Sequence, residues 1–266
     1  MLDNIIIGQY VPGNSYVHRM DPRAKMICLL LFMFFLFLSR HPIVLFASIT
    51  IAVLSFLFAK VPLRFYLKGM RFIAILILFT FILHLFMTRE GPVLLDTPII
   101  TIYVGGVIEG SIVAIRLLTL ITMATLLTLT TTPVTLTDGL EQLLKPFQKL
   151  GFPTHELAFM MSIALRFIPT LLQETVKIIK AQMARGANFT KGSLWKRVRA
   201  FVPILVPLFV QSFKRAEELA IAMEARGYAG GEGRTKFRLL RWTKIDTIAV
   251  IIFSIYSIVT IVTIWL

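Results

Sequence analysis

Apolar residues in this chain come in long runs broken by short polar stretches, without the alternation of a half-buried strand. Met26–Leu38 is wholly apolar, Ser39-Arg40-His41-Pro42 interrupts, and Ile43–Ala59 follows, a pattern that predicts a tight helical hairpin turning at Arg40-His41-Pro42. Further runs cover Phe72–Thr88, Val107–Thr130 and Ile245–Leu266. A helix needs about 20 residues to cross the hydrocarbon core, so the first run is short unless Arg23 and Lys25 snorkel to the interface. Asp21-Pro22 sets a capping carboxylate before a proline and predicts a helix start there. Between the third and fourth runs, Ile99-Ile100-Thr101-Ile102-Tyr103 and Gly105-Gly106 suggest a re-entrant or partly extended loop.

The stretch from Pro133 to Lys244 differs, and it reads as three helices. Thr137-Asp138 opens a short one through Lys149, closed by Gly151. Thr154 opens a long one reaching Arg185, with Pro169 able to kink it, and Phe201 or Pro203 starts another that reaches Arg226. Both long helices begin lipid-like and end mixed and charged. Val176, Ile179 and Met183 form a stripe on one, and Leu219, Ala222, Met223 and Arg226 on the other. Each ends in the same phrase, A-x-x-A-R-G, at Ala181–Gly186 and Ala222–Gly227. Glycine past a helix end and arginine near it are ordinary stop chemistry. A helix tip with an apolar ridge and an arginine also suits a groove on another protein.

Composition places these elements in a bilayer. The 266 residues are 57% apolar and only 16% charged, well below the usual share for a soluble domain. The net charge of +14 is explained by basic loops on the cytoplasmic side, without nucleic acid. Eighteen basic against eight acidic residues in 133–244 leave +10 there, so this segment is expected in the cytoplasm. Lys60, Arg64, Lys68 and Arg71 mark another cytoplasmic loop, while Glu90, Asp96 and Glu109 mark an external one. With the N-terminus inside, about five crossings put the C-terminus outside. Met1–Arg23 carries Asp3, Arg19, Asp21 and Arg23 and lacks the apolar core of a cleavable signal.

Candidate chemistry is sparse. His18, Arg19, Arg23 and Lys25 beside the first span could contact lipid phosphates or a partner, or serve only as a positive-inside anchor. The basic loop Lys191–Arg199 with Trp195 reads as a membrane-surface anchor. Arg116 lies within the fourth span, where snorkelling or a bond inside the bundle is the simpler reading. The chain lacks a G-x-x-x-x-G-K-[ST] loop, and Gly227–Gly233 follows a helix as a linker would. The lone Cys28 allows no intramolecular disulfide, and His18, His41, His84 and His155 have no metal-ligand spacing. No catalytic residue, cofactor site or metal site is expected. The residues suit a membrane scaffold that passes force to a cytoplasmic partner. An enzyme or assembly factor acting on lipid-phosphate substrates is the alternative, and would need clustered polar residues at membrane depth.

The expected fold is an all-α integral membrane protein with about five transmembrane helices and a large helical cytoplasmic coupling module before the last span. The divisions are 1–132, 133–244 and 245–266.

Tyr10-Val11-Pro12-Gly13-Asn14-Ser15, His18-Arg19-Met20-Asp21-Pro22-Arg23-Ala24-Lys25 and the two Ala-Arg-Gly phrases together resemble the transmembrane T component of energy-coupling factor (ECF) transporters. The resemblance covers essentially the whole chain. Met20 stands where that family often has leucine, a volume-conserving change. The resemblance implies a non-catalytic subunit of a prokaryotic ABC-type importer of vitamins or transition-metal ions. Two cytoplasmic ATPases would bind the ATP and magnesium, and a membrane S component would bind the substrate. Ala184, Arg185 and Gly186 would dock one ATPase, and Ala225, Arg226 and Gly227 the other. Apolar faces of the long helices would form a sliding contact for the S component. Pro12, Gly13, His18, Arg19, Asp21, Pro22 and Arg23 would be contacts for that component or for phospholipid. The substrate is not legible, because in this architecture specificity belongs to another chain.

Overall fold

A computed structural model describes residues 10–38, 41–96, 101–187, 193–230 and 239–265. The chain divides into two compact units, one formed by residues up to 143 with 240 onward, the other by 144–239.

In the first unit, α1 (Tyr16–Arg19) is a single turn capped by Ser15, whose hydroxyl accepts from His18 N. The preceding strand of chain is tied down by a bond from Val11 N to Leu129 O at 2.9 Å. Helix α2 (Pro22–Leu38) starts where the Asp-Pro pair predicts, with Arg23 N donating to the Asp21 carboxylate at 2.9 Å. Ala24, Cys28, Phe32 and Leu36 recur every four residues and form its buried side. Phe32 stacks on Tyr256 of α9 (Lys244–Trp265) at 5.6 Å and meets Phe253 edge-on at 6.1 Å. Helix α3 (Pro42–Ala59) is capped by His41 and completes this core with Val44 and Ala52, while Arg40 lies outside the described residues.

The stretch expected as a basic loop at 60–71 is largely helix. Helix α4 runs Leu63–Met87, and its halves Leu63–Arg71 and Ile73–Met87 meet at 51°. Tyr66 explains the early start: its ring packs on Phe56 and its hydroxyl bonds Thr122 Oγ1 at 2.7 Å, so tertiary contact recruits the basic turn into the helix. The following loop is partly extended, as expected from Ile99–Tyr103, of which Ile99 and Ile100 lie outside the described residues. Strands β1 (Val93–Asp96) and β2 (Thr101–Tyr103) pair antiparallel and feed directly into α5 (Val104–Thr130). Helix α5 packs on α4 through glycine. A Cβ on Gly106 would lie 3.0 Å from His84 O, and one on Gly110 would lie 3.1 Å from Phe81 Cδ2.

Lys25 does not snorkel. It is 7% exposed, and its ammonium donates to Thr130 O at 3.0 Å and Thr131 Oγ1 at 2.9 Å, where α5 ends. At 17 residues α2 is therefore short for a crossing, about 25 Å long. Among the described residues, the helices long and apolar enough to cross, by length and composition, are α3, α5, α9 and α7 (Thr154–Ala184), with α4 a fifth if its bent halves count as one span. Four to five candidate spans agree with the all-α membrane fold expected from the sequence. Large apolar side chains such as Phe34 and Phe46, 65% and 73% exposed, point away from the core, as lipid-facing surface does.

Helix α6 (Pro133–Leu144) begins four residues ahead of the expected start at Thr137 and is followed by a 3₁₀ turn, Lys145–Leu150, closed by Gly151 at φ +83°. The second unit continues with α7 and α8 (Leu194–Ala225). Helix α8 starts well before Phe201, after Ser193, so Trp195–Arg199 are helical and not loop, with Trp195 85% exposed. Lys191 lies outside the described residues.

Candidate functional site: two arginine-tipped helices

The two A-x-x-A-R-G phrases fold into the same structure. In α7, Arg185 is the C-cap and Gly186 takes φ +86°. Gly186 N then donates to Met183 O at 3.0 Å and Ala187 N to Gln182 O at 3.0 Å. In α8, Arg226 is the C-cap and Gly227 takes φ +71°, with Gly227 N to Glu224 O at 2.8 Å and Tyr228 N to Met223 O at 3.0 Å. Each pair of bonds is the Schellman closure, which satisfies carbonyls that would otherwise be orphaned at a helix end. Nothing lies within 4 Å of a Cβ built on either glycine. The glycines are therefore required by backbone conformation and not by crowding. Ala184, Arg185, Gly186, Ala225, Arg226 and Gly227 are all exposed. Both guanidinium groups thus sit at the negative ends of helix dipoles, on short ledges flanked by small residues.

The helices run antiparallel. Glu174 of α7 pairs with Arg215 of α8, and Phe159 near the start of α7 stacks on Tyr228 beyond the end of α8 at 5.4 Å. From the Glu174–Arg215 pair, each arginine lies eleven residues further along its own helix, in opposite directions. That is about 16 Å each way, placing the tips roughly 30 Å apart at opposite ends of the pair. The stripes meet only in part. Val176, Ile179, Leu219 and Met223 are half-buried, while Met183 and Ala222 remain exposed. Beside Arg226, a cleft of about 740 Å³ opens between Phe159, Ile163 and Phe167 of α7 and Leu219 and Met223 of α8.

The N-terminal candidates fall into two groups. Pro12, Gly13 and Arg19 are exposed. His18 is half-buried, its Nε2–H donating to Val11 O at 2.9 Å and its Nδ1 accepting from the Ser15 hydroxyl at 2.7 Å. Asp21 and Pro22 are buried, and Arg23 lies over the Trp242 ring at 5.6 Å while forking onto Asp21 at 2.8 and 3.0 Å. Burial raises the pKa of Asp21, but hydrogen bonds from the Arg23 side chain and backbone, with the charges of Arg23 and Lys25, hold it below the usual carboxylate value. Sequence reasoning missed Asp246, fully buried at the start of α9, which accepts from Asp21 N at 2.8 Å and from Thr243 N and Oγ1 at 2.7 Å. Its isolation at the edge of an apolar run was the available signal.

Among the described residues, no group of three His, Cys, Asp or Glu side chains is placed to hold a metal ion. The family model described as "Cobalt transport protein" (CbiQ) matches residues 13–237. The chain is 59% identical to the energy-coupling factor transporter transmembrane protein EcfT of Bacillus selenitireducens, over 97% of this chain and 96% of that one. It is 55% identical to the protein so named in Bacillus subtilis (94% and 95% covered) and 49% identical to that of Listeria innocua (97% of both). These relatives are named as membrane components of a transporter and not as enzymes. With a family model matched over most of its length and relatives matched end to end, the chain belongs to the EcfT/CbiQ family of transmembrane proteins of energy-coupling factor transporters.

Proposed function

We propose that the chain is the energy-coupling (T) subunit of an ECF-type ABC importer, in which Arg185 and Arg226 each dock one of two cytoplasmic ATPases. The observation that carries this reading is the repetition of one exposed structure, an arginine C-cap closed by a left-handed glycine, at opposite ends of an antiparallel helix pair. Two separated tips suit two separate sites. Ala184 with Gly186 and Ala225 with Gly227 keep each ledge narrow enough to enter a groove, where the guanidinium forks onto a carboxylate or carbonyls. ATP and magnesium bind in the partners.

The helices behind the tips then pass ATPase closure to a substrate-binding membrane S component, for uptake of vitamins or related micronutrients. Exposed apolar side chains of α7 and α8, among them Met160, Met161, Phe209 and Phe213, supply its sliding contact. Pro12, Gly13 and Arg19 are the N-terminal positions free to touch that component or phospholipid headgroups. The charge distribution supports a cytoplasmic N-terminus and coupling unit. Truncating one partner of a desolvated charge contact typically costs about 2–5 kcal/mol, so the Arg185→Glu/Arg226→Glu variant should lose co-purification of the ATPases. Undiminished ATPase binding by that variant refutes the docking role.

A further inference from the structure

The polypeptide passes between the two units twice, leaving through α6 and returning through residues 240–243. The same five residues, Asp21 to Lys25, hold both passages on the membrane side. On the outgoing passage, Lys25 grips Thr130 and Thr131, where α5 gives way to α6. Nearly two turns into α6, Gly139 lies so close over Pro22 that an added Cβ would sit 3.0 Å from the proline Cβ and 3.5 Å from Arg23 N. On the returning passage, Arg23 covers Trp242, and Asp21 N donates to the Asp246 carboxylate. That carboxylate also accepts from Thr243, fixing the turn into α9. Arg23, held on Asp21, and Lys25, held on threonines, are kept in place by bonds inside the cluster, so neither is a loose surface charge. Asp246 is 0% exposed and Asp21 3%, while Ala24 between the grips is 0% exposed and leaves no room to shift.

We propose that Asp21–Lys25 together with Asp246 form a clasp of positioning residues that fixes both passages between the units, so that movement of the 144–239 unit is transmitted to the membrane helices and not absorbed in the connections. The clasp acts by making two connections, distant in sequence, yield together or not at all. The transmission part of this inference rests on the coupling function proposed above, whereas the joint fixation of the two passages does not.

Amide hydrogen exchange on the full chain in lipid nanodiscs tests the fixation. Thr243→Val removes one bond to Asp246 from an exposed position, and Gly139→Ala wedges α6 away from Pro22. Each should accelerate exchange in both 133–144 and 240–246 by roughly tenfold, the opening protection expected from one hydrogen bond to a charged group. Thr243→Ser should restore it, and exchange at 183–187 and 223–228 should not change. Asp246→Asn is the stronger perturbation, and Thr243→Val keeps the test decisive if that variant does not fold. Acceleration confined to the mutated passage overturns the clasp. Transmission is read on the chain assembled with its two ATPases, as the change in exchange of α2, α5 and α9 on trapping with ATP and vanadate. Thr243→Val should retain the ATPases and lose most of that change. An undiminished response overturns the transmitting role even if both passages loosen. Failure of the wild-type chain to retain ATPases counts against the docking reading alone, because exchange in the isolated chain still decides the clasp.

Discussion

Replacing Gly186 or Gly227 with alanine isolates the backbone term at each tip. Both glycines sit at positive φ with open space where a Cβ would go, so no neighbour has to move. A Cβ in the left-handed region costs about 1–2 kcal/mol. The more restricted unfolded chain returns about 0.4–1 kcal/mol of this in a Gly→Ala change. The net penalty on holding the closed tip is about 1 kcal/mol, close to a fivefold shift in its closed-to-open ratio. The arginine is untouched, yet its cap would open. Titrating each variant with purified ATPase should therefore show binding weakened by up to about fivefold, and the two penalties should add because the tips are far apart. Asparagine, which tolerates the left-handed region, should fall between glycine and alanine. Gly151→Ala, at φ +83° but outside both Ala-Arg-Gly phrases, should leave ATPase binding unchanged. Wild-type affinity in both tip variants, or asparagine no better than alanine, would refute the claim that the glycines act by setting the arginine ledge.

Three further outcomes follow from the geometry. The Asp21 pKa is held below its unfolded value, so its contribution to stability is complete above the unfolded value near 4 and disappears as pH falls through the lower folded value. Thermal unfolding in detergent should show a loss of stability below about pH 4 that Asp21→Asn abolishes. Gly106→Leu drives a side chain into the His84 and Leu85 backbone, and overpacking of that kind should cost about 1–3 kcal/mol, read as a lower midpoint in SDS unfolding. Glu174→Arg or Arg215→Glu alone should destabilise the α7–α8 pair, and the double swap should recover part of the loss in a thermal melt.

Where helices lie was legible along the chain, because apolar runs, Asp21-Pro22 and the two Arg-Gly stops are local signals. Both tips close at the glycines that the stop chemistry indicates. What was illegible depended on partners remote in sequence. Lys25 looks like a snorkelling charge because nothing nearby can satisfy it, yet its acceptors lie 105 and 106 residues away. Asp246 looks like an inner-edge charge because its donor, Asp21 N, lies 225 residues away. The early start of α4 has the same origin. Lys60–Arg71 carries loop-like charge, but packing of Tyr66 on Phe56 and its bond to Thr122 decide the outcome.

Charge density thus located the polar segments but did not distinguish the internal bonds that individual charges make. Arg23 and Lys25 belong to the same basic cluster as Arg19 by any local count, and all three looked equivalent as phosphate contacts. In the fold they separate. Arg19 stays exposed, while Arg23 and Lys25 turn inward onto Asp21 and the α5 terminus. The arginines of the helix tips show the opposite outcome, remaining exposed where a local cap is complete without them, since the Schellman bonds use only backbone groups. A side chain not needed by its own cap is available to a partner. One bonded within the chain, as Lys25 and much of Arg23 are, is held in place as structure. That distinction, rather than the number of basic residues, separates the docking candidates Arg185 and Arg226 from the clasp residues Arg23 and Lys25.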